Sequence, residues 1–208
     1  MLPDDEPGRR RLPRELRTPD YRAPDFAYTL RPATASDLPA VRDIYRHYVL
    51  NSTVTFDERP KTLGQWRRML REAAELQLPF LVAESATGTL LGYAYAQPWK
   101  QRAAYRHTVE SSVYLAPAAG GRGLGRALME ALLDAIAARG VREVVAVIAD
   151  QGADASLRLH ERLGFREIGR MRGVGEKFGR ELGIVLLQLS MRKRRAGAGQ
   201  AERSPKVL

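Results

Sequence analysis

Residues 120–127, Gly-Gly-Arg-Gly-Leu-Gly-Arg-Ala, constrain this chain more than any other stretch. They stand between a strand-like run, HTVESSVYLAP over 107–117, and a helical period through Ala127, Leu128, Leu132, Leu133 and Ile136 that stops at Gly140. Glycines at 120, 121, 123 and 125 let successive backbone amides point into one concavity. The helix that follows adds the partial positive charge of its N-terminus. Such a turn holds phosphate oxygens, and Arg122 and Arg126 can add charge-assisted hydrogen bonds. Without a ligand the same residues make a flexible loop with two solvated arginines.

The loop is not a Walker loop, because no Gly-Lys-Ser/Thr follows it. It offers no G-x-G-x-x-G spacing and lies in mid-domain, so it is not the dinucleotide fingerprint. A pyrophosphate without those marks points to coenzyme A.

Around the loop the periods alternate between two and 3.6 residues. Phe26, Tyr28 and Leu30 read as a half-buried strand. Ser36-Asp37 reads as the cap of a helix with Leu38, Val41, Ile44, Tyr45 and Tyr48 on its apolar face. Thr62 and Gln65 form a capping box for a second helix carrying Leu63, Trp66 and Leu70. Strands are expected over 79–84, 90–99 and 107–117. The run EVVAVIA over 143–149 has the continuous apolarity of a central strand covered on both faces. A short helix near 155–163 ends at Gly164, and strands over 165–173 and 182–190 complete the domain. The fold class is α/β, a single domain with a mixed, mostly antiparallel central sheet flanked by helices. It is expected to span 25–191. Residues 1–24 mix proline, arginine and acids without apolar period and read as a disordered arm. Residues 192–208 read as a basic disordered tail.

The chain has 208 residues, with 34 Lys plus Arg, 24 Asp plus Glu and a net charge of +10. Half of that excess, +5, sits on residues 192–208, which hold six basic residues and one glutamate. The charge suits an anionic partner. No element resembles a helix-turn-helix or a base-stacking platform, so nucleic acid is not expected as the partner. Cysteine is absent, which excludes disulfides, thiolate nucleophiles and Cys-ligated metals. His47, His107 and His160 have no metal-ligand spacing, so no metal is expected. Neither a secretory signal nor a run of ~20 apolar residues is present, so a cytoplasmic protein without a membrane span is expected.

The segment SSVYLAPAAGGRGLGRALMEALL resembles the acyl-CoA motif of GCN5-related N-acetyltransferases, Gln/Arg-x-x-Gly-x-Gly/Ala after a bulged strand. Gly123 and Gly125 match its glycines, while Gly120 replaces its first residue. The blocks RPATASDLPAVRDIYRHYVLNSTVTFDERP, GYAYAQPWKQRAAYRHTVESSVYL, SLRLHERLGF and VGEKFGRELGIVLLQLS are similar, in order, to the phosphinothricin/methionine sulfoximine acetyltransferase branch. The resemblance covers about residues 29–190. It implies the family fold, a homodimer, and transfer of acetyl from acetyl-CoA to the amine of a small amino-acid-like substrate.

An ammonium has no lone pair for attack, so acetyl transfer to an α-amine is helped by a general base. Glu110, flanked by Val109 and matching the Glu of the family's Thr-x-Glu-x-Ser/Thr-Val-Tyr block, takes that role by resemblance. By spacing alone the first reading is a solvent-facing or ion-paired strand glutamate. The resemblance assigns the main chain of Val113, Tyr114 and Leu115 to the pantetheine arm and to polarising the thioester carbonyl. It assigns Gly121, Arg122, Gly123, Leu124, Gly125 and Arg126 to the coenzyme phosphates. The resemblance implies Ser156 as a further coenzyme ligand, although Ala153 stands where the family has Asn. His160 occupies a position where many relatives have Tyr, and is read as proton donor, substrate ligand or structural residue. Lys100, Arg102 and Arg106 offer cations for a substrate carboxylate, and Tyr105, Trp99 and Phe56 offer pocket walls. The alternatives are three solvated cations and core aromatics. KFGR, Lys177 to Arg180, reads as a turn at a subunit contact. The rival readings are acetylation of a protein N-terminus or other amine, a basic nucleic-acid-binding protein, and a non-catalytic acyl-CoA-binding protein.

Overall fold

A computed structural model describes residues 26–192. The expected arm over 1–24 and the tail beyond Arg192 lie outside the described residues. In order, the elements are β1 (Tyr28–Pro32), α1 (Leu38–Asn51), α2 (Leu63–Glu75), β2 (Phe80–Ser85), β3 (Leu90–Pro98), β4 (Thr108–Leu115), α3 (Leu124–Ala138), β5 (Glu143–Ala149), α4 (Asp154–Arg162), β6 (Arg166–Lys177) and β7 (Arg180–Ser190). No helix among the described residues is long and apolar enough to cross a membrane.

The strands form one sheet in the order β1-β2-β3-β4-β5-β7-β6. Every neighbouring pair is antiparallel except β4 and β5. That parallel joint is short: only Thr108, Val109 and Glu110 pair, with Glu143, Val144 and Val145. Beyond Glu110 the strands part. β4 continues on β3 to Leu115, while β5 continues on β7 to Ala149. The sheet therefore opens a wedge in its middle, and the edge of β4 from Ser111 to Leu115 is unpaired on the β5 side. The bulge expected in this strand does not appear as a register shift. β4 keeps unbroken register with β3 from Gly92↔Leu115 to Pro98↔Val109. That continuous pairing with β3 fixes its register, so the opening comes from divergence instead.

Period-2 alternation divides the core. Val82, Tyr93 and Tyr95 face α1 and α2, where they meet Leu38, Val41, Tyr45 and Trp66. Ala83, Ala94, Ala96 and Val109 face α3, where Leu128, Met129, Leu132, Leu133 and Ile136 are wholly buried. Small residues on that side let α3 lie close to the sheet. Val144, Ala146 and Ile148 of β5 join the same layer, as a central strand should.

The capping box of Thr62 and Gln65 is present: Gln65 N donates to Thr62 Oγ1 at 3.2 Å and Thr62 N donates to Gln65 Oε1 at 2.7 Å. The start of α1 differs from expectation. The Asp37 carboxylate makes no cap bond to α1. It accepts from both terminal nitrogens of Arg31 at 2.8 Å and from the Thr34 amide at 2.7 Å. A guanidinium on β1 offers a bidentate charged partner, which outcompetes a single helix amide.

Candidate active site

The glycine loop follows β4 and leads into α3. Gly121 and Gly123 have φ of 75° and 80°, and Gly123 is the N-cap of α3. Glycine adopts this region freely, whereas other L-residues pay for it. A Cβ at either position would meet nothing within 4 Å, so the space before these amides is open. At Gly125 a Cβ would stand 3.5 Å from both Leu115 Cδ1 and Leu159 Cδ2. The first turn of α3 thus brings the end of β4 and the middle of α4 to one place. Leu124 is fully buried and anchors the start of α3 in the core beneath the loop. The Arg122 guanidinium lies 4.9 Å from the ring centre of Phe26. Arg126 is exposed, with Nε donating to Glu130 Oε1 at 2.8 Å.

The unpaired edge of β4 runs up to this loop. Val113 and Leu115 pack towards α3, and Tyr114 points the other way into the aromatic layer, 5.1 Å from Tyr45 and 5.4 Å from Tyr48. Tyr48 Oη donates to the Leu115 carbonyl at 2.8 Å. Sequence reasoning places Tyr48 only on an apolar helix face. Its polar tip is legible only once α1 is laid over β4.

Glu110 sits where β4 leaves β5, half-buried and opposite Gln97 on β3. Burial pushes its carboxyl above the ordinary glutamate value, opposed by a hydrogen bond from Gln97 and by the charge of Lys100. The strand glutamate is therefore neither free in water nor locked in an ion pair. The sequence does not single out Gln97, because its importance depends on the β3–β4 register.

His160, on α4, is 3% exposed. Its Nδ1 lies 2.8 Å from the Ser156 carbonyl, which can only accept, so Nδ1 carries the proton. Ser156 Oγ is 3.4 Å from the same nitrogen. Nε2 is buried with no hydrogen-bond partner among the described residues. Burial holds the pKa of this imidazole below the usual histidine value, against the pull of the Ser156 carbonyl. The ring packs edge-on against Phe165 at 4.9 Å. Ala153 begins α4 and offers no side-chain cap.

Two loops stand beside these strands. The segment 99–107 contains a single 3-10 turn at Ala103–Tyr105, and Lys100, Arg102, Tyr105 and Arg106 are exposed. Lys100 Nζ lies 4.4 Å from the Trp99 ring centre, and Arg106 Nη1 donates to the Ala103 carbonyl. Lys100 is the one of these cations whose charge is felt at Glu110. The segment 52–61 carries Phe56, whose ring lies against Gly175 of β6. A Cβ there would be 2.5 Å from Phe56 Cε2. The position of Phe56 is thus set by β6, more than a hundred residues further along the chain.

An open sheet that parts after a half-buried glutamate, with a glycine amide cradle at the end of the parted strand, defines an acyltransferase-type site. The chain matches the acetyltransferase (GNAT) domain over residues 30–185 and belongs to that family. It is 43% identical to a phosphinothricin N-acetyltransferase of Alcaligenes faecalis over 162 residues, 78% of this chain and 82% of that one. It is 39% identical to an L-methionine sulfoximine/L-methionine sulfone acetyltransferase of Pseudomonas aeruginosa, covering 78% and 94% of the two chains. A solved phosphinothricin acetyltransferase from Sinorhizobium meliloti in complex with acetyl-CoA superposes with a TM-score of 0.75 at 39% identity, over 78% of this chain and 88% of that one. The protein is an acetyltransferase of this family.

Proposed function

We propose that this chain acetylates the amine of a small amino-acid-like acceptor of the phosphinothricin, methionine sulfoximine or methionine sulfone type. The observation that carries the reading is Glu110: a half-buried carboxylate with a raised pKa, within reach of the charge of Lys100, at the point where β4 leaves β5. Acetyl-CoA supplies the activated acetyl group as a thioester. The open space before Gly121 and Gly123 fits its diphosphate, with amides of the α3 N-terminus, Arg122 and Arg126 as ligands. The unpaired edge from Ser111 to Leu115 offers main-chain donors and acceptors to the pantetheine arm, and an amide there polarises the carbonyl under attack.

Glu110 takes the proton of the acceptor ammonium, directly or through one water, and frees the lone pair that attacks. Lys100 and Arg102 hold the acceptor's acidic groups, while Phe56 and Tyr105 wall its side chain. His160 is neutral at rest with Nε2 as an unfilled acceptor, so it can receive a hydrogen bond and is not itself the resting proton source. Ser156 orients it. The acetyl group passes directly to nitrogen, without an enzyme-bound acyl group. The products are the N-acetyl amino acid and coenzyme A, whose sulfur takes up a proton.

The assembly we propose is a homodimer. β6 is one of the sheet's two edge strands, and Ile168, Met171, Val174 and Phe178 on and beside it are exposed apolar side chains. The compartment we propose is the cytoplasm, where acetyl-CoA is available. The deciding experiment is thiol release from acetyl-CoA with phosphinothricin, methionine sulfoximine and methionine sulfone beside peptide amines. Turnover confined to the peptide amines would overturn the acceptor class. Light scattering after gel filtration reads the assembly, and a monomeric mass would remove the dimer.

A further inference from the structure

The segment Ser52–Lys61, between α1 and α2, contains neither helix nor strand, yet it carries Phe56. It is held from three directions. Thr53 Oγ1 donates to the Gln151 carbonyl at 3.1 Å, in the connection after β5. Tyr45 Oη donates to Asp57 Oδ2 at 2.7 Å and shares a hydrogen bond with Thr55 Oγ1 at 2.9 Å, and the Lys61 ammonium pairs with Asp57. The third tie comes from the β6–β7 hairpin. Lys177, the last residue of β6, sends its ammonium inward and donates to the Thr55 carbonyl at 2.8 Å. Two residues earlier, Gly175 is the seat of the Phe56 ring.

Lys177 is 2% exposed. Its hydrogen bond goes to a neutral carbonyl, and Asp57 and Glu58 act on its charge at longer range. Burying an ammonium in that way costs free energy that a methionine of similar length would not incur. Packing alone does not explain the residue. A cation that grips one carbonyl at a defined place fixes a register, which an apolar chain does not.

We propose that Lys177 is a positioning residue for the acceptor site, locking the Ser52–Lys61 segment onto the β6–β7 hairpin so that Phe56 is held against Gly175 as a wall of the pocket. The assignment deepens the acceptor-site reading above and rests on it for its kinetic consequence. The lock itself does not depend on which acceptor is used.

The test compares Lys177→Met, Lys177→Arg and Gly175→Ala in the full chain. In Lys177→Met, KM for the best acceptor of the panel should rise about tenfold, while kcat and the Kd for acetyl-CoA stay within about twofold. Amide hydrogen exchange over 53–57 should quicken, and exchange over 124–138 should not. Lys177→Arg should restore part of the acceptor KM. Gly175→Ala should raise it without touching the ammonium, because its methyl group displaces Phe56. A folded Lys177→Met enzyme with wild-type acceptor KM and unchanged exchange over 53–57 overturns the proposal. So does a parallel fall in thermal stability, acetyl-CoA affinity and kcat, which marks a purely structural lysine. If no acceptor is turned over by the wild type, the exchange measurement still decides the lock. If Lys177→Met does not fold, Lys177→Arg decides it, because it moves the donor that grips Thr55: wild-type acceptor KM and wild-type exchange over 53–57 in that variant overturn the proposal.

Discussion

Tyr48 Oη donates to the carbonyl of Leu115 at 2.8 Å, so a helix residue supplies a hydrogen bond at the last position of β4. That position lies beyond the last pair of the β4–β5 ladder, next to the glycine loop. Tyr48→Phe removes the donor and keeps the tilted ring contact with Tyr114. Stability should fall by about 1 kcal/mol, read by urea titration. The Kd for acetyl-CoA should rise several-fold in calorimetric titration, because the end of β4 loses its tether. An unchanged Kd would separate Leu115 from coenzyme binding.

Glu110→Gln keeps the shape and the Gln97 contact but removes the base. Turnover should drop by about two to three orders of magnitude while acetyl-CoA affinity holds. The wild-type profile of kcat/KM should show an acid limb set by a group above the ordinary glutamate value of 4.5, since burial raises Glu110. Activity is then lost as pH falls through that raised value, as the carboxylate takes up a proton. In Glu110→Gln this limb should vanish.

Gly123→Ala forces a side chain into φ of 80°. The cost should be about 1–2 kcal/mol of stability, or a relaxed loop with a misdirected amide. Either outcome should weaken acetyl-CoA binding more than it changes acceptor KM. Equal binding by wild type and variant would mean that the Gly123 amide does not face the phosphates.

The Asp37–Arg31 pair gives a stability prediction away from the site. Asp37 is held down from 3.8 to about 2, chiefly by its hydrogen bonds from Arg31, against the opposing cost of burial. A depressed carboxyl stabilises the fold fully above its unfolded value. That contribution disappears as pH falls from 3.8 through about 2. With Arg31 34% exposed and screened, the contribution is about 1–2 kcal/mol. Asp37→Asn should lose that much at pH 7, and the difference from wild type should shrink across the same acidic window in urea titrations.

Much of the molecule is legible in the sequence wherever local chemistry decides. The Thr62/Gln65 box, the apolar run of β5 and the glycine-bearing start of α3 are set by neighbours a few residues away. Resemblance points to Glu110, whereas its raised pKa is legible only in the fold, since the burial and the Lys100 charge depend on β4 lying between β3 and β5. What sequence reasoning misses lies in pairs far apart in the chain. Asp37 closes the turn just before α1 on the Thr34 amide and pairs at the same time with Arg31, because β1 is adjacent to the α1 start. Tyr48 reaches Leu115 across 67 positions, and Lys177 reaches Thr55 across 122. KFGR reads as a turn, and Phe178 and Gly179 do form one, with φ of 55° and 68°. Nothing in a one-dimensional period shows that the lysine before it points inward.

The parting of β4 from β5 also has a consequence for how the chain finds its fold. β1 to β4 come from residues 28–115 and are joined as antiparallel neighbours in chain order, while β5 to β7 come from residues 143–190. Only three residue pairs close the sheet between the two groups. Each half can lower its own loop-closure cost with nearby contacts. The β4–β5 seam is the smallest ladder in the sheet, and α3, packed on β2, β3 and β4, belongs to the first group's side of it.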